Sequence, residues 1–279
     1  MNFFQKIHSI LLEQSGSTRP IAAFRILLML LLWSRFAGDL TLWNAGGTSE
    51  VLLGLAFFTL TGASLIGWQT RRAMALLAAV MALMYFHFGI HLGRQPWTHH
   101  HVYLLVICTV LCAIGPSERS FSLDRWLAVR ANRPTRELGS LTANHLIRLQ
   151  LASVYFWTAI DKSNFDFLSS ARLDQILHFH YNGTPMEVIL LWPPLIFLLS
   201  VTVVIIEYFL AFAILIQRYT KPVFLIGFSL HLLFYYVLPV STFSLTMMIM
   251  YIMLIPSQHF HPFFDQMLES KSHRMQDSK

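Results

Sequence analysis

The chain has 279 residues, of which 55% are apolar and only 12% are charged, and its formal net charge is +6. Apolar stretches close to the ~20 residues needed to cross hydrocarbon predict a polytopic helical membrane protein and leave little room for a separate soluble module. Because the basic residues are not gathered on a soluble surface, the charge indicates membrane topology and contact with anionic lipid headgroups, and it argues against nucleic acid as a partner.

Three regions follow one another along the chain. Residues 1–20 predict an uncleaved interfacial amphipathic helix, residues 21–256 one transmembrane domain, and residues 257–279 a polar cytoplasmic tail. The fold class is all-α, a polytopic bundle of about eight transmembrane helices. Its apolar stretches run roughly over residues 21–36, 51–68, 73–90, 102–114, 146–160, 189–216, 222–238 and 242–255.

The distribution of lysine and arginine orients this bundle. With the N-terminus in the cytoplasm, most of the 20 Lys and Arg fall in the two tails and in alternate loops, and the loop over residues 116–145 is the most basic. This is the positive-inside pattern. It predicts an integral membrane protein with both termini cytoplasmic, and it places the histidines at 99–101 and Lys162 on the outer side.

Two stretches carry further local signals. Cys108 and Cys112 lie four residues apart on a predicted helix, so they share a face as small buried hydrophobic residues and do not suit a disulfide. Pro193 and Pro194 open the sixth stretch, where proline is expected to kink the helix or delay its start.

Ionisable side chains inside spans are the next feature, because each costs about 2.5 to 3.5 kcal/mol or more at the bilayer centre. Arg25, Arg148 and Glu207 are in this position, and a structural polar core with a buried ion pair among them is favoured over a catalytic role. Gln150 and His231 are expected to satisfy neighbouring polar groups in the same way.

A group of histidines lies near the outer end of the third stretch. His87, His91 and Arg94 share a helix face just below His99, His100 and His101. Such a group suits a zinc or copper ion or, alternatively, interfacial histidines bonded to water and headgroups. Because no HExxH or paired-cysteine pattern is present, no metal is assigned.

Lys162 ends an apolar helix on the side where the positive-inside rule disfavours lysine. A snorkelling interfacial anchor is one interpretation. If the following loop covers the amine, it becomes a candidate base instead, although Asp161 beside it would favour the charged form. The sequence does not rank these two alternatives.

These residues resemble the vitamin K-dependent gamma-glutamyl carboxylases and their bacterial relatives, the horizontally transferred transmembrane (HTTM) domain proteins, from about Arg19 to Pro256. The segments PIAAFRILLML, WTHHHVYLL and LIRLQLASVYFWTAIDK are similar to family motifs. The positions that match family residues are Arg25, His101, Arg148, Gln150, Tyr155, Lys162, Glu207, Arg218 and His231.

The resemblance implies that Lys162 is the catalytic base and that His101 orients it or stabilises developing charge. It implies a reduced naphthoquinone (vitamin K or menaquinol) as cofactor, with oxygen and carbon dioxide as co-substrates. The residues assigned to cofactor binding are Tyr155, Trp157, His100, Gln150 and His231. It also implies a bacterial cytoplasmic membrane with the active site facing outward.

Three functions therefore remain open. The leading hypothesis is a quinol-dependent enzyme in which quinol epoxidation is coupled to proton abstraction, and possibly carboxylation, on an unknown peptide or small molecule. The alternative is a non-catalytic quinone-binding protein or an assembly partner for another membrane subunit. A transporter ranks lower because the sequence lacks the inverted repeats typical of that class.

Overall fold

A computed structural model of the chain describes residues 14–216 and 220–255. Over these residues it contains thirteen α-helices and two short strands, which confirms the all-α membrane class. The predictions made for residues 1–13, for Arg218 and for the tail at 257–279 lie outside the described residues.

Contacts divide the chain into two compact units, and the described residues of the first, unit 1, are 14–147 and Ile255. Its described elements are β1 (Ser15–Ser17), α1 (Arg19–Phe36), α2 (Thr48–Ile66), α3 (Thr70–Met84), α4 (Gln95–Thr98), α5 (His100–Ile114), α6 (Leu123–Arg130), β2 (Leu138–Ser140) and the start of α7 (Thr142–Lys162). One wide turn of π-helix, Tyr85–His91, extends α3.

The hairpin of α2 and α3 shows why the chain reverses where it does. Gly67 ends α2 with φ +73°, a left-handed conformation that favours glycine, and the Trp68 N–H donates to the Ala63 carbonyl at 2.9 Å. The Asp124 carboxylate then accepts the backbone N–H groups of Gln69 at 2.8 Å and Thr70 at 2.7 Å. A residue of the basic loop therefore caps the start of α3.

Within the described end of the N-terminal region, Ser15–Ser17 form the strand β1 and are not helical. This strand pairs antiparallel with Leu138–Ser140, with Gly16 opposite Gly139. Small residues allow the close approach, since a Cβ on Gly139 would contact Pro116 and Thr18 closer than 3.0 Å. The ladder fixes the end of the basic loop beside the start of α1.

The second unit, unit 2, comprises Arg148–Leu254. Its elements are the rest of α7, α8 (Phe165–Leu168), α9 (Ala171–Tyr181), α10 (Glu187–Leu190), α11 (Pro193–Ile216), α12 (Thr220–Val237), α13 (Ser241–Met250) and a 3-10 turn, Tyr251–Leu254. The segment predicted as an outward loop after Lys162 thus contains three short helices. The delayed start predicted for the sixth stretch is confirmed, because α11 begins at Pro193.

Four helical segments of the described chain are long and apolar enough to cross a membrane, namely Thr48–Ile66, Thr70–His91, Pro193–Ile216 and Thr220–Val237. The other predicted spans also form helices. However, α5 and α13 are shorter than a bilayer-spanning helix, and α1 carries Arg19, Arg25 and Arg35. The chain is an integral membrane protein, and the predicted number of eight spans is not confirmed.

Candidate functional site

Polar side chains gather inside unit 2. They come from α7, α11, α12 and the 3-10 turn that follows α13. The sequence and the family resemblance predict Lys162 as the catalytic base, Tyr155 and His231 as cofactor-binding residues, and Glu207 as part of a structural polar core. The structure brings all four into one unit and adds a fifth, Tyr251.

Lys162 and Glu207 form an ion pair. The Lys162 Nζ atom donates to Glu207 Oε1 at 2.7 Å and to Oε2 at 2.9 Å, so the ammonium bridges both oxygens of the carboxylate. The Glu207 side chain is 4% exposed and that of Lys162 is 24% exposed. The Phe167 ring lies beneath the same ammonium, 6.0 Å from Nζ. The pair is therefore mostly withdrawn from solvent, and Lys162 is not a free surface anchor.

This pair corrects the expected ion pair among Arg25, Arg148 and Glu207. Glu207 binds Lys162 because α11 presents its carboxylate to the last turn of α7. Arg148 instead donates from Nε to the Met253 carbonyl at 2.7 Å, and its Nη2 donates to the same oxygen. Its guanidinium fixes the end of the 3-10 turn, which is a structural function.

The second feature of the site is a pair of tyrosines, Tyr155 on α7 and Tyr251 in the 3-10 turn. The Tyr251 hydroxyl donates to the Tyr155 hydroxyl at 2.8 Å, and this bond is buried. The backbone of α12 makes room for it at Gly227, where an added Cβ would overlap the Tyr251 hydroxyl. The negative charge of Glu207 is within electrostatic range of Tyr155. The tyrosine pair therefore belongs to the same polar interior as the ion pair.

His231 completes the group. Its ring centroid lies 5.6 Å from that of Tyr155, and Phe234 and Phe243 pack around it. The residue is 1% exposed, and neither ring nitrogen has a hydrogen-bond partner among the described residues. A buried imidazole with both nitrogens unsatisfied is costly. His231 can therefore accept or donate a hydrogen bond to a group that enters the interior.

Two of the residues predicted to bind the cofactor lie elsewhere on α7. Trp157 is 64% exposed and packs on Phe156. It points away from Tyr155 because two helical positions differ by about 200°. Gln150 is half-buried near the middle of α7. Neither residue takes part in the hydrogen bonds of the Lys162–Glu207 pair or of the Tyr155–Tyr251 pair.

Sequence reasoning missed Tyr251 and Gly227. A signal for Tyr251 was present, since it is a lone tyrosine in the apolar run MMIMYIML, and a buried tyrosine hydroxyl needs a hydrogen-bond partner. Gly227 gave no signal, because glycine is frequent in membrane helices. Only the structure shows the aromatic hydroxyl that fills its place.

Arg25, on α1 in unit 1, is fully buried and bound to backbone. Its Nη1 donates to the Ser117 carbonyl at 2.5 Å and its Nη2 to the Phe121 carbonyl at 2.6 Å. The planar guanidinium suits two such acceptors. Arg25 thus ties the basic loop to α1, which fits the structural role predicted for it.

The histidines of unit 1 at positions 87, 91, 99 and 101 form two stacked pairs. The rings of His87 and His91 lie 5.7 Å apart on the π-helical turn, where the Leu92 N–H donates to the His87 carbonyl five residues earlier. Arg94 bonds Glu50 at 2.6 Å. Among residues 14–216 and 220–255, no three His, Cys, Asp or Glu side chains are arranged to hold a metal ion.

His101 lies in the first turn of α5, before the apolar stretch that begins at residue 102. Its ring stacks on that of His99 at 5.3 Å and meets the exposed His100 edge-on at 6.1 Å. Burial lowers the pKa of the His101 imidazole to about 4, and the positive charge of Arg35 acts in the same direction. His101 is therefore neutral at pH 7. It belongs to unit 1 and Lys162 to unit 2.

Comparison with known proteins gives one family. A family model described as the HTTM domain matches residues 48–258. Searches of curated proteins and of solved structures each found no match. The matched range contains His101, Lys162 and every residue of the polar interior of unit 2.

Proposed function

The chain belongs to the HTTM domain family, which is linked to vitamin K-dependent carboxylase, and from this premise we propose that it is a quinol-dependent membrane enzyme. In this proposal it oxidises a reduced naphthoquinone to the epoxide, using Lys162 in the proton-transfer step. A proton is then abstracted from a carbon atom of a peptide or small molecule. Where carboxylation occurs, the resulting carbanion adds to carbon dioxide.

The observation that carries the proposal is the ion pair of Lys162 with Glu207. An ammonium alone cannot take up a proton, but the pair can, because a proton shift onto Glu207 leaves a neutral amine. A low-dielectric interior stabilises this neutral pair relative to the pair of two charged groups, because burying charge is costly. Lys162 is then able to accept a proton from an acidic hydroxyl, and Glu207 positions its nitrogen.

The remaining residues of unit 2 fit a quinol. His231 offers two unsatisfied ring nitrogens, and the tyrosine pair offers hydroxyl oxygen atoms, while the phenyl rings around His231 exclude water. These groups would hold a ring that carries two hydroxyls. When bound, the quinol supplies the two electrons and two protons that, with one oxygen molecule, yield the epoxide and one water.

His100 and His101 keep the roles that the family resemblance implies, with a neutral His101 able to act as donor and acceptor at once. The proposal also places the site on the outer side of a bacterial cytoplasmic membrane. The histidines at 99–101 and Lys162 lie in outward segments under the positive-inside assignment.

The test is quinone epoxide formation by the purified protein in nanodiscs with reduced menaquinone, oxygen and bicarbonate. We expect epoxide from the native protein and none above background from Lys162→Ala. The matched control is Lys221→Ala, which removes an exposed lysine of α12. Equal yields of epoxide from the native and Lys162→Ala proteins would refute the proposal that this protein is an enzyme that uses Lys162. Quinone binding without turnover would support the non-catalytic alternative instead.

A further inference from the structure

A recess of about 700 Å³ lies in unit 1 beside the β1–β2 ladder. Its lining residues are Ser15, Arg119, Arg136, Glu137, Leu138, Gly139 and Ser140. None of them belongs to the polar interior of unit 2. What the recess binds is therefore independent of the proposed enzymatic function.

The recess is basic. Arg119 and Arg136 both line it, and Glu137 is its one acidic residue. That carboxylate is already engaged, since it accepts from Arg19 Nη2 at 2.7 Å and from the Ser17 hydroxyl at 2.8 Å. The two lining arginines therefore leave an excess of positive charge, which favours an anionic ligand.

Arg119 is held in place for such a ligand. Its Nη1 donates to the Leu138 carbonyl, and its own carbonyl accepts from Arg125 Nη1 at 2.7 Å. A guanidinium has five N–H donors in a fixed fork, so the bond to Leu138 leaves several available. A guanidinium fixed in this way suits the paired oxygens of a phosphate.

The position of the recess indicates where that phosphate comes from. Three apolar helices begin or end beside it, since α1 starts at Arg19, α5 ends at Ile114 and α7 starts at Thr142. The ends of apolar helices lie at the level of lipid headgroups. On the rim, Leu138 is 61% exposed, as expected for a side chain that faces acyl chains.

The neighbouring helix α6 has the same character. Trp126 and Leu127 are exposed, and the Arg130 guanidinium lies over the Trp126 ring at 5.0 Å. Exposed aromatic and aliphatic side chains combined with arginine are typical of a helix that lies in a membrane interface. We propose that the recess binds the phosphate headgroup of an anionic membrane lipid, with Arg119 and Arg136 as its ligands.

The experiment measures retention of phosphatidylglycerol by the full-length protein, using native mass spectrometry after exchange into mixed phosphatidylglycerol and phosphatidylcholine. We expect Arg119→Gln with Arg136→Gln to lower the affinity for phosphatidylglycerol about thirtyfold, because each of the two basic residues near a membrane surface contributes on the order of 1 kcal/mol. The matched control is Arg71→Gln with Arg72→Gln, two exposed arginines at the start of α3. It should lower the affinity much less than the recess variant does, because neither arginine lines the recess.

An equal loss of affinity for phosphatidylglycerol in the two double variants would refute a specific site at the recess, because it would show only general attraction between charges. Displacement of the lipid by millimolar inorganic phosphate, with phosphate retained in pure phosphatidylcholine, would assign the recess to a soluble phosphate and overturn the lipid ligand. If the double variant at the recess does not fold, Arg136→Gln alone keeps the Arg119–Leu138 bond and decides the same question.

Discussion

Arg25 in unit 1 and Lys162 in unit 2 are both cations on helices rich in apolar residues, yet their partners differ. Arg25 donates to the carbonyl oxygens of Ser117 and Phe121, which are backbone atoms. Lys162 donates to both oxygens of the Glu207 carboxylate. A backbone carbonyl does not titrate between acid and neutral pH, whereas a carboxylate is a titratable group that can take up a proton.

The difference separates a structural cation from a candidate catalytic one. An ionisable residue in a span is costly in either case, so its presence alone does not indicate its role. A guanidinium on fixed carbonyls can only hold the loop in place. An ammonium on a carboxylate can exchange protons when it lies near a buried imidazole that has no hydrogen-bond partner among the described residues. The comparison therefore predicts that losing Arg25 costs stability and that losing the Lys162 pair costs activity.

The largest effect on stability is expected from Arg25→Met. The substitution leaves the Ser117 and Phe121 carbonyls without their charged donor, and hydrogen bonds to charged groups are worth about 1.5 to 3 kcal/mol each. We expect the free energy of unfolding to fall by roughly 3 kcal/mol or more. Denaturant unfolding in detergent, followed by circular dichroism, measures the loss.

Arg35→Met is the matched control for that measurement. Arg35 lies on the same helix, and it pairs with the half-exposed Asp39 at 2.9 Å. Exposed pairs contribute at most about 1 kcal/mol, so this variant should lose much less stability. A loss equal to that of Arg25→Met would show that the buried carbonyl contacts have no special weight.

The largest effect on activity, short of removing Lys162, is expected from Glu207→Gln. The amide keeps the shape of the side chain, but it holds the ammonium only weakly, and small displacements of a reacting group cost on the order of 10²-fold in rate. We expect epoxide formation to fall by about that factor. Initial rates at saturating menaquinol, against Lys221→Ala, provide the measurement.

A double variant sharpens the same comparison. Replacing a buried ion pair by apolar residues of similar size is often neutral for stability, whereas removing one partner is destabilising. The free energy of unfolding of Lys162→Met with Glu207→Leu should therefore lie within about 1 kcal/mol of the native value. This double variant should nevertheless form no epoxide. If the double variant were active, neither residue would take part in the reaction.

The sequence predicted the class of fold because apolar periodicity and the placement of arginines are local features of the chain. Each predicted span corresponds to a helix, and Pro193 starts α11 as expected. Two parts were not predictable by the same logic. The β1–β2 ladder joins segments more than 100 residues apart, and the helices after Lys162 are too short to give a clear period.

The site shows the same division between local and distant information. Glu207 and His231 stood out because polar residues in spans are costly, and Lys162 because the positive-inside rule disfavours a lysine at its position. Tyr155 was indicated only by the family resemblance. Which of them bind one another depends on how α7 and α11 pack, and no spacing along the sequence encodes it. The expected partner of Glu207 was an arginine for this reason, and the structure assigns it a lysine.

A smaller effect is expected from Gly227→Ala. The new methyl group would overlap the Tyr251 hydroxyl, and overpacking of this kind costs about 1 to 3 kcal/mol. Gly62→Ala on α2 is the matched control, because no atom lies within 4 Å of its added Cβ. In the Gly227→Ala background, Tyr251→Leu should restore part of the lost melting temperature, because it removes the hydroxyl together with the ring carbons Cζ and Cε1 that the methyl group would also overlap. Without that recovery, the overlap is not the cause of the loss.

The smallest effect is a pH dependence of stability that arises from His101. Below about pH 6.5 the unfolded chain binds a proton at this residue, whereas the folded protein does not until about pH 4, so stability falls as the pH drops through this interval. Melting temperatures between these pH values should decline less steeply in His101→Gln than in the native protein. His180→Gln, at an exposed histidine of α9, should keep the native slope. An unchanged slope in His101→Gln would mean that the folded protein takes up a proton at His101 over the same pH range as the unfolded chain, and the lowered pKa of this imidazole would be refuted.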